Sequence, residues 1–342
     1  MARELCCLIG IQPGEGFIKA AAKLKKLGQI QISPERLRGV VEAEGMAVLE
    51  ARRKALLKPE WDASDCTAQA EGKTRLTVGV DGVMVPVITA AEKAKRRAGR
   101  RHVRRRGRSR RLAGQVRHRG SDERYKELKI GNFYDTSRQH GWSFASTGKA
   151  DEFGRQLRVE AGKLRLGQAG EKFSVTDGAK WIRRQLRMRL PMLDEIILDF
   201  YHLSEHVSKA AAACWGLGSP QSKEWTGKLL HQAKHDGPLA VLHEIAAAKA
   251  SLRAKTKRAA LSELEQYVAD RMEMTDYPKF IAAGYDIGSG PTEAKCKTVP
   301  ARLKGSGMRW NLSNAQAMAA LACLDQSGMM DHWWALQRKA VA

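Results

Sequence analysis

The sequence predicts an α/β fold, a mixed sheet whose strands are followed by a long all-helical stretch, and three observations carry that prediction. Residues 74–87, TRLTVGVDGVMVPV, are β-branched and alternate in character, as a strand or a tight hairpin does. Ile196, Ile197 and Leu198 form an unbroken apolar run, as expected of a strand covered on both faces. Residues 203–283 show helical periodicity only.

The elements can be read in order. An N-terminal helical segment spans 1–60. FIKAAAKLKKLG stops at Gly28, and the next helix starts with Ser33 at the N-cap, Pro34 at the first helical position and Glu35 behind it. Two helices joined by a short turn have the layout of a helix-turn-helix, which would read DNA through its second helix. The same hairpin is common in proteins that never meet DNA. Residues 59–73 have loop composition. After the 74–87 strand, residues 125–135 and 141–148 are further strand candidates, 150–164 is a helix with Phe153, Leu157 and Leu164 on one side, and 172–178 is a short strand. A basic helix, AKWIRRQLRMRL, leads to the strand at 193–202. Four helices fill 203–283, and the chain is helical again in 284–342. The expected organisation is thus 1–60, then a sheet domain begun by 74–202, a helical insertion at 203–283, and a return to the sheet domain in 284–342.

The charge points to a polyanion. The 342 residues hold 60 Lys+Arg against 37 Asp+Glu, a formal charge of +23. Residues 93–119, KAKRRAGRRHVRRRGRSRRLAGQVRHR, carry 14 of those bases and no acid. More than half of the excess therefore sits in one segment with almost nothing apolar to bury, which predicts a solvated loop. Its mutual repulsion would be relieved by a phosphate backbone, with Arg96, Arg97, Arg100, Arg101, Arg104, Arg105, Arg106, Arg108, Arg110 and Arg111 as the contacts. Arginine outnumbers lysine there, which suits bidentate phosphate contacts, and no interleaved aromatics are present to read bases. The run also lacks the apolar face of an interfacial helix, and the chain has no 18-residue apolar stretch, so no membrane role is expected. The first residues, MARELCCLIGIQPGEG, lack a signal-peptide cleavage pattern, which makes a cytoplasmic, nucleoid-associated protein the expectation. Cys6, Cys7, Cys66, Cys214, Cys296 and Cys323 form no CxxC pair and no zinc spacing, so they are expected reduced and mostly buried.

Isolated acids mark the candidate site. Asp81 interrupts an apolar strand, although Asp-Gly is by itself a strong hairpin-turn signal. Asp177 ends one strand and Asp199 another; each is also a good N-cap for the helix that follows. Glu293 opens a helix after three glycines and a proline, where a first-turn acid complements the helix dipole. Each alone has a plain explanation. Together, carboxylates at neighbouring strand ends would repel, and hard divalent cations such as Mg²⁺ relieve that repulsion. A basic chain with such a cluster points to metal-dependent phosphodiester chemistry.

The stretches VGVDGVMVPV, VTDGAKWI, ILDFYHLSEHV, GSGPTEAKCK and RLKGSGMRWNLSNAQAMAAL, in that order between 74 and 325, resemble the DDE transposases of bacterial insertion sequences, most closely the ISKra-type group related to Mutator-like transposases. The resemblance implies an RNase H-like mixed sheet with an all-helical insertion before the last catalytic Glu. It makes Asp81, Asp177 and Glu293 the catalytic and metal-holding triad, with two Mg²⁺ ions and Mn²⁺ as a substitute. Asp199 and His202 match the family's Asp/Cys-x-x-His motif and are expected to support the site. Arg309 is expected on the DNA backbone, joined by Lys297, Arg302 and Lys304, while Trp310 is expected to pack. Double-stranded DNA is the implied substrate, cleaved at transposon ends and joined to a target by a homodimer or larger assembly. An RNase H-like nuclease without strand transfer, or a non-catalytic DNA-binding protein, are the alternatives.

Overall fold

A computed structural model describes residues 2–14, 16–69, 72–105, 125–305 and 308–339. Ordinary capping chemistry sets the N-terminal helices. Helix α1 (Ala2–Gly10) is followed by α2 (Phe17–Gly28), which stops at Gly28 with Gln29 in the left-handed region. Ser33 caps α3 (Pro34–Arg53), its Oγ accepting from the Arg36 amide at 3.2 Å.

The sheet begins with β1 (Arg75–Val85), one continuous strand of 11 residues. Asp81-Gly82 is therefore not a turn. The pair sits in mid-strand because β3 (Lys126–Asp135) pairs antiparallel along the whole of β1, with Asp81 opposite Ile130 and Gly82 opposite Lys129. A two-residue strand, β2 (Val87–Ile88), precedes α4 (Ala90–Arg105). Here the structure corrects the sequence reading, since the first half of the basic run is helical. The cause is a local capping box. The Glu92 amide donates to Thr89 Oγ1 at 3.2 Å, and the Thr89 amide donates to Glu92 Oε2 at 2.7 Å. Arginine and alanine are good helix formers and need no apolar face to continue from such a start. Only the backbone of residues 96 and 99–105 is described.

The remaining elements are β4 (Gly141–Ser146), α5 (Ala150–Lys163), β5 (Glu171–Thr176), α6 (Lys180–Arg189) and β6 (Glu195–Leu198), then α7 (Phe200–Trp215), α8 (Pro220–His235), α9 (Pro238–Ser251), α10 (Lys255–Ala269) and α11 (Tyr277–Ala282). They end with α12 (Gly290–Thr298), β7 (Trp310–Asn311), α13 (Leu312–Gln326) and α14 (Met330–Lys339). The five-stranded sheet has the order β4-β3-β1-β5-β6, and β2 pairs with β7 apart from it. The β1–β3 and β3–β4 pairs are antiparallel; β1–β5 and β5–β6 are parallel. The architecture is mixed α/β. Strand β6 is shorter than the sequence suggests. It is an edge strand of four residues, because Asp199 at once caps α7.

Two apolar clusters hold the layers together. One joins α1–α3, α5, α6 and α13 to β1, β3 and β4 through residues such as Val78, Phe133, Trp142, Phe153 and Leu321. The other packs α7, α8, α9, α10 and α11 on β5 and β6 through Phe173, Ile197, Val207, Leu264 and Phe280. Helix α3 lies across α13 at Gly45, where a Cβ would come 2.4 Å from the Ala317 carbonyl oxygen. One face of α3 is thereby committed to the core. All six cysteines are free and buried. Among the described residues no helix is long and apolar enough to cross a membrane.

Candidate active site

Strand registers bring Asp81 and Asp177 together. Parallel pairing of β1 with β5 runs from Arg75↔Glu171 to Gly79↔Val175 and then stops. Beyond that point β1 continues against β3 alone, and Asp177 follows the last residue of β5. Side chains alternate along strands, so Gly79 and Asp81 share a face with Val175. One more pleat puts Asp177 on that face, and the same count along β6 from Ile197 reaches Asp199. The carboxyl ends of parallel strands are where open α/β sheets bind ligands.

Asp81 is half-buried, and burial raises its carboxyl above the ordinary range; the negative charge of Asp177 adds to this. The Gly82 amide, donating to Asp81 Oδ1 at 2.6 Å, the Cys296 thiol and the charge of His202 pull the other way. Asp177 Oδ1 accepts from the Ala179 amide at 2.8 Å, an Asx-type turn that fixes it just ahead of α6. Neither aspartate has an ion-pair partner among the described residues; His202 acts on Asp81 by charge from farther off.

Helix α12 docks on the same face. Gly79 makes room for it: a Cβ there would lie 1.7 Å from Thr292 Oγ1. Glu293 is the next residue, and its Oε2 accepts from Lys297 Nζ at 3.3 Å, one turn along. Cys296, also on α12, faces Asp81 with its thiol. Burial, then Asp81 and, more weakly, Glu293, push its thiol up. Replacing Gly79 by Ala is expected to push α12 off the sheet, at a cost of about 2–3 kcal/mol. Thermal unfolding checks this.

Asp199 is fully buried and acts as a latch. Its Oδ1 accepts from the amides of Tyr201 at 2.6 Å and His202 at 3.3 Å, capping α7. Its Oδ2 accepts from the Ser289 amide at 2.6 Å and from the Ser289 hydroxyl. The residue thus ties the start of α7 to the loop that delivers α12. His202 is half-buried beside Asp81 and acts on it by charge.

The basic residues divide. Arg97, Lys297, Lys304 and Arg309 are exposed. Arg96, Arg100, Arg101, Arg104 and Arg105 belong to α4, where only the backbone is described, and Arg106, Arg108, Arg110 and Arg111 lie outside the described residues. Arg302 corrects the expectation of a DNA contact. It is buried, its Nε donating to the Gly10 carbonyl at 2.9 Å and its guanidinium stacked 4.6 Å from the Phe17 ring. It joins α1 and α2 to the C-terminal segment. Trp310 packs beside it, Nε1 donating to the Leu303 carbonyl at 3.2 Å.

The donor set suits a hard cation in part. Asp81 and Asp177 offer oxygen donors on one face, with repulsion that a cation would relieve. Glu293 is turned to Lys297, and among the described residues no three acids, histidines or cysteines close into a metal-sized group. The sequence reading missed Cys296 and Ser289. Cys296 is three residues after Glu293, a helical spacing that could have flagged it. Nothing local signals Ser289, whose contact to Asp199 spans 90 positions. No protein-family model and no curated protein matches the chain.

Proposed function

We propose that the protein is a DDE-type DNA transposase with an RNase H-like core, in which Asp81, Asp177 and Glu293 form the catalytic set. The observation that carries this reading is the pair of carboxylates without an ion pair among the described residues, Asp81 and Asp177, facing one way from adjacent parallel strands. The sheet order supports it. A central β1, with the antiparallel β1–β3 and β3–β4 pairs on one side and the parallel β1–β5 and β5–β6 pairs on the other, is compatible with the RNase H-like core this reading expects. So does the helical stretch α7–α11, which lies between β6 and the helix that carries Glu293, where this reading expects an insertion.

Asp81 and Asp177 would hold divalent magnesium or manganese, and Glu293 would join them by leaving Lys297. Bound there, such ions lower the pKa of water and neutralise charge at the attacking and leaving oxygens of a phosphodiester. The chain's own residues do the rest. The β1–α12 contact at Gly79 and Thr292 sets the depth of Glu293 above the sheet. The Asp199 latch fixes the loop before it. Exposed Lys297 on α12, and Lys304 and Arg309 in the segment after it, offer positive charge suited to a DNA backbone. Joining two transposon ends requires a dimer or larger assembly.

Incubation of end-bearing duplex DNA with the protein and Mg²⁺ or Mn²⁺ tests this. Cleavage to a free 3′-OH and its joining to a second duplex is the expected result. Hydrolysis without joining would favour a nuclease, and metal-independent binding without cleavage would leave only a DNA-binding protein.

A further inference from the structure

Beside Asp177 the molecule holds a cluster of arginines that the carboxylate site does not use. Arg271 lies just beyond α10. Its Nη2 donates to the Gly178 carbonyl and its Nη1 to the Tyr267 carbonyl, each at 3.1 Å, while its guanidinium lies 3.9 Å from the Tyr267 ring centroid. Gly178 immediately follows Asp177 and has a φ of 71°. A Cβ there would come 2.8 Å from Arg271 Nε, so glycine is needed for this close approach. From α6, Arg183 Nη1 donates to the Asp270 carbonyl at 2.7 Å. Arg187, one turn later, is paired with Glu273 at 3.0 Å.

Arg183 and Arg271 differ from Arg187 in a telling way. Their acceptors among the described residues are backbone carbonyls, and neither has a carboxylate ion pair there. Both Nε atoms are buried without a hydrogen-bond partner among those residues. Burial and the charges of Arg271 and Arg187 hold the Arg183 guanidinium below its usual range. His206, stacked at 3.7 Å on Tyr267, is likewise held down by burial and by Arg271, Lys209 and His202. Two half-buried like charges, held by carbonyls, with no carboxylate ion pair among the described residues and Asp270 acting on Arg183 only through space, cost stability that an anion would offset. A guanidinium fork matches two oxygens of a phosphate.

We infer that Arg183 and Arg271 clamp one backbone phosphate of the DNA strand that enters the Asp81/Asp177 site. The inference rests on the transposase reading and gives the helical stretch a task. The end of α10 places a cation against the residue next to Asp177, so a strand gripped there passes the carboxylates. The clamp is a phosphate-binding element and takes no part in bond breaking.

The test is binding of a 30-base-pair duplex, followed by fluorescence anisotropy against salt without divalent ions. Arg183→Gln and Arg271→Gln should each lower the slope of log K against log salt by about 1, the signature of one lost phosphate contact. Arg271→Lys should recover most of the slope. A scan of single methylphosphonates should find one position that costs the wild type about tenfold in affinity and costs either Gln variant nothing more. Melting temperatures guard against unfolding, and Arg183, bonded through a single Nη, is the safer site. Wild-type slopes in both Gln variants, or equal methylphosphonate costs in all forms, would overturn the clamp. So would absence of duplex binding by the wild type. In a protein that binds the duplex, failure of the clamp is read without cleavage and is distinct from failure of the transposase reading, which undiminished cleavage by Asp81→Asn, or absence of duplex binding altogether, would reveal.

Discussion

Replacing Asp81 by Asn is expected to abolish DNA cleavage, by about a thousandfold or more, while leaving the protein as stable as before or more stable. The two halves have one cause. Burial and Asp177 raise the Asp81 carboxyl in the folded protein above its unfolded value. For an acid shifted upward, the native state binds more protons than the unfolded chain between the two values. Stability therefore falls as pH rises through that window, and at neutral pH the ionised side chain works against folding. Asn keeps the acceptor for the Gly82 amide and removes the charge. Without divalent ions, the variant should melt at about 2 °C above the wild type at pH 7. The gap should close as pH falls below the ordinary carboxylate range. Calorimetry at pH 7 and pH 3.5 measures both points. A core role for Asp81 would reverse the sign.

Asp199→Ala is expected to behave in the opposite way, losing stability and activity together. The carboxylate is fully buried and satisfies three amides and a hydroxyl. Alanine leaves those donors buried without acceptors, at a cost of about 3–5 kcal/mol. The α7 start would fray, and the Ser289 loop would release α12 with Glu293. Asn, which retains one acceptor oxygen, should recover part of the stability. Thermal unfolding and cleavage rates on the same samples check the pairing of effects. A loss of cleavage at wild-type stability would instead mark Asp199 as a group acting directly at the reacting centre.

Much of the sheet was legible because its strands are short apolar or alternating runs. The 125–135 and 141–148 segments became β3 and β4 within a residue or two, and the four helices of 203–283 became α7–α10. Long-range pairing decided what local signals could not. Asp81-Gly82 carries a turn signature, yet β3, more than 40 positions away, holds it in a strand. The basic run was read through its lack of apolar residues. The Thr89–Glu92 capping box was present in the sequence and outweighed that lack. Arg302 looked like one more cation in a basic stretch. Its partner Gly10 is 292 positions away, and its aromatic neighbours come from two ends of the chain. The carboxylates themselves were visible as misfits in apolar strands. Their common face follows from strand register, which the sequence does not state, and the arginines beside Asp177 come from the basic helix α6 and from the turn after α10, more than 80 positions apart.

Asp81 and Asp177 are proposed to hold a divalent ion beside bound DNA. Electron paramagnetic resonance of free Mn²⁺, titrated into the protein–duplex complex, tests it most directly. The wild type should show a Mn²⁺ affinity that Asp81→Asn and Asp177→Asn each weaken by about tenfold or more. Unchanged Mn²⁺ binding in both variants would contradict it.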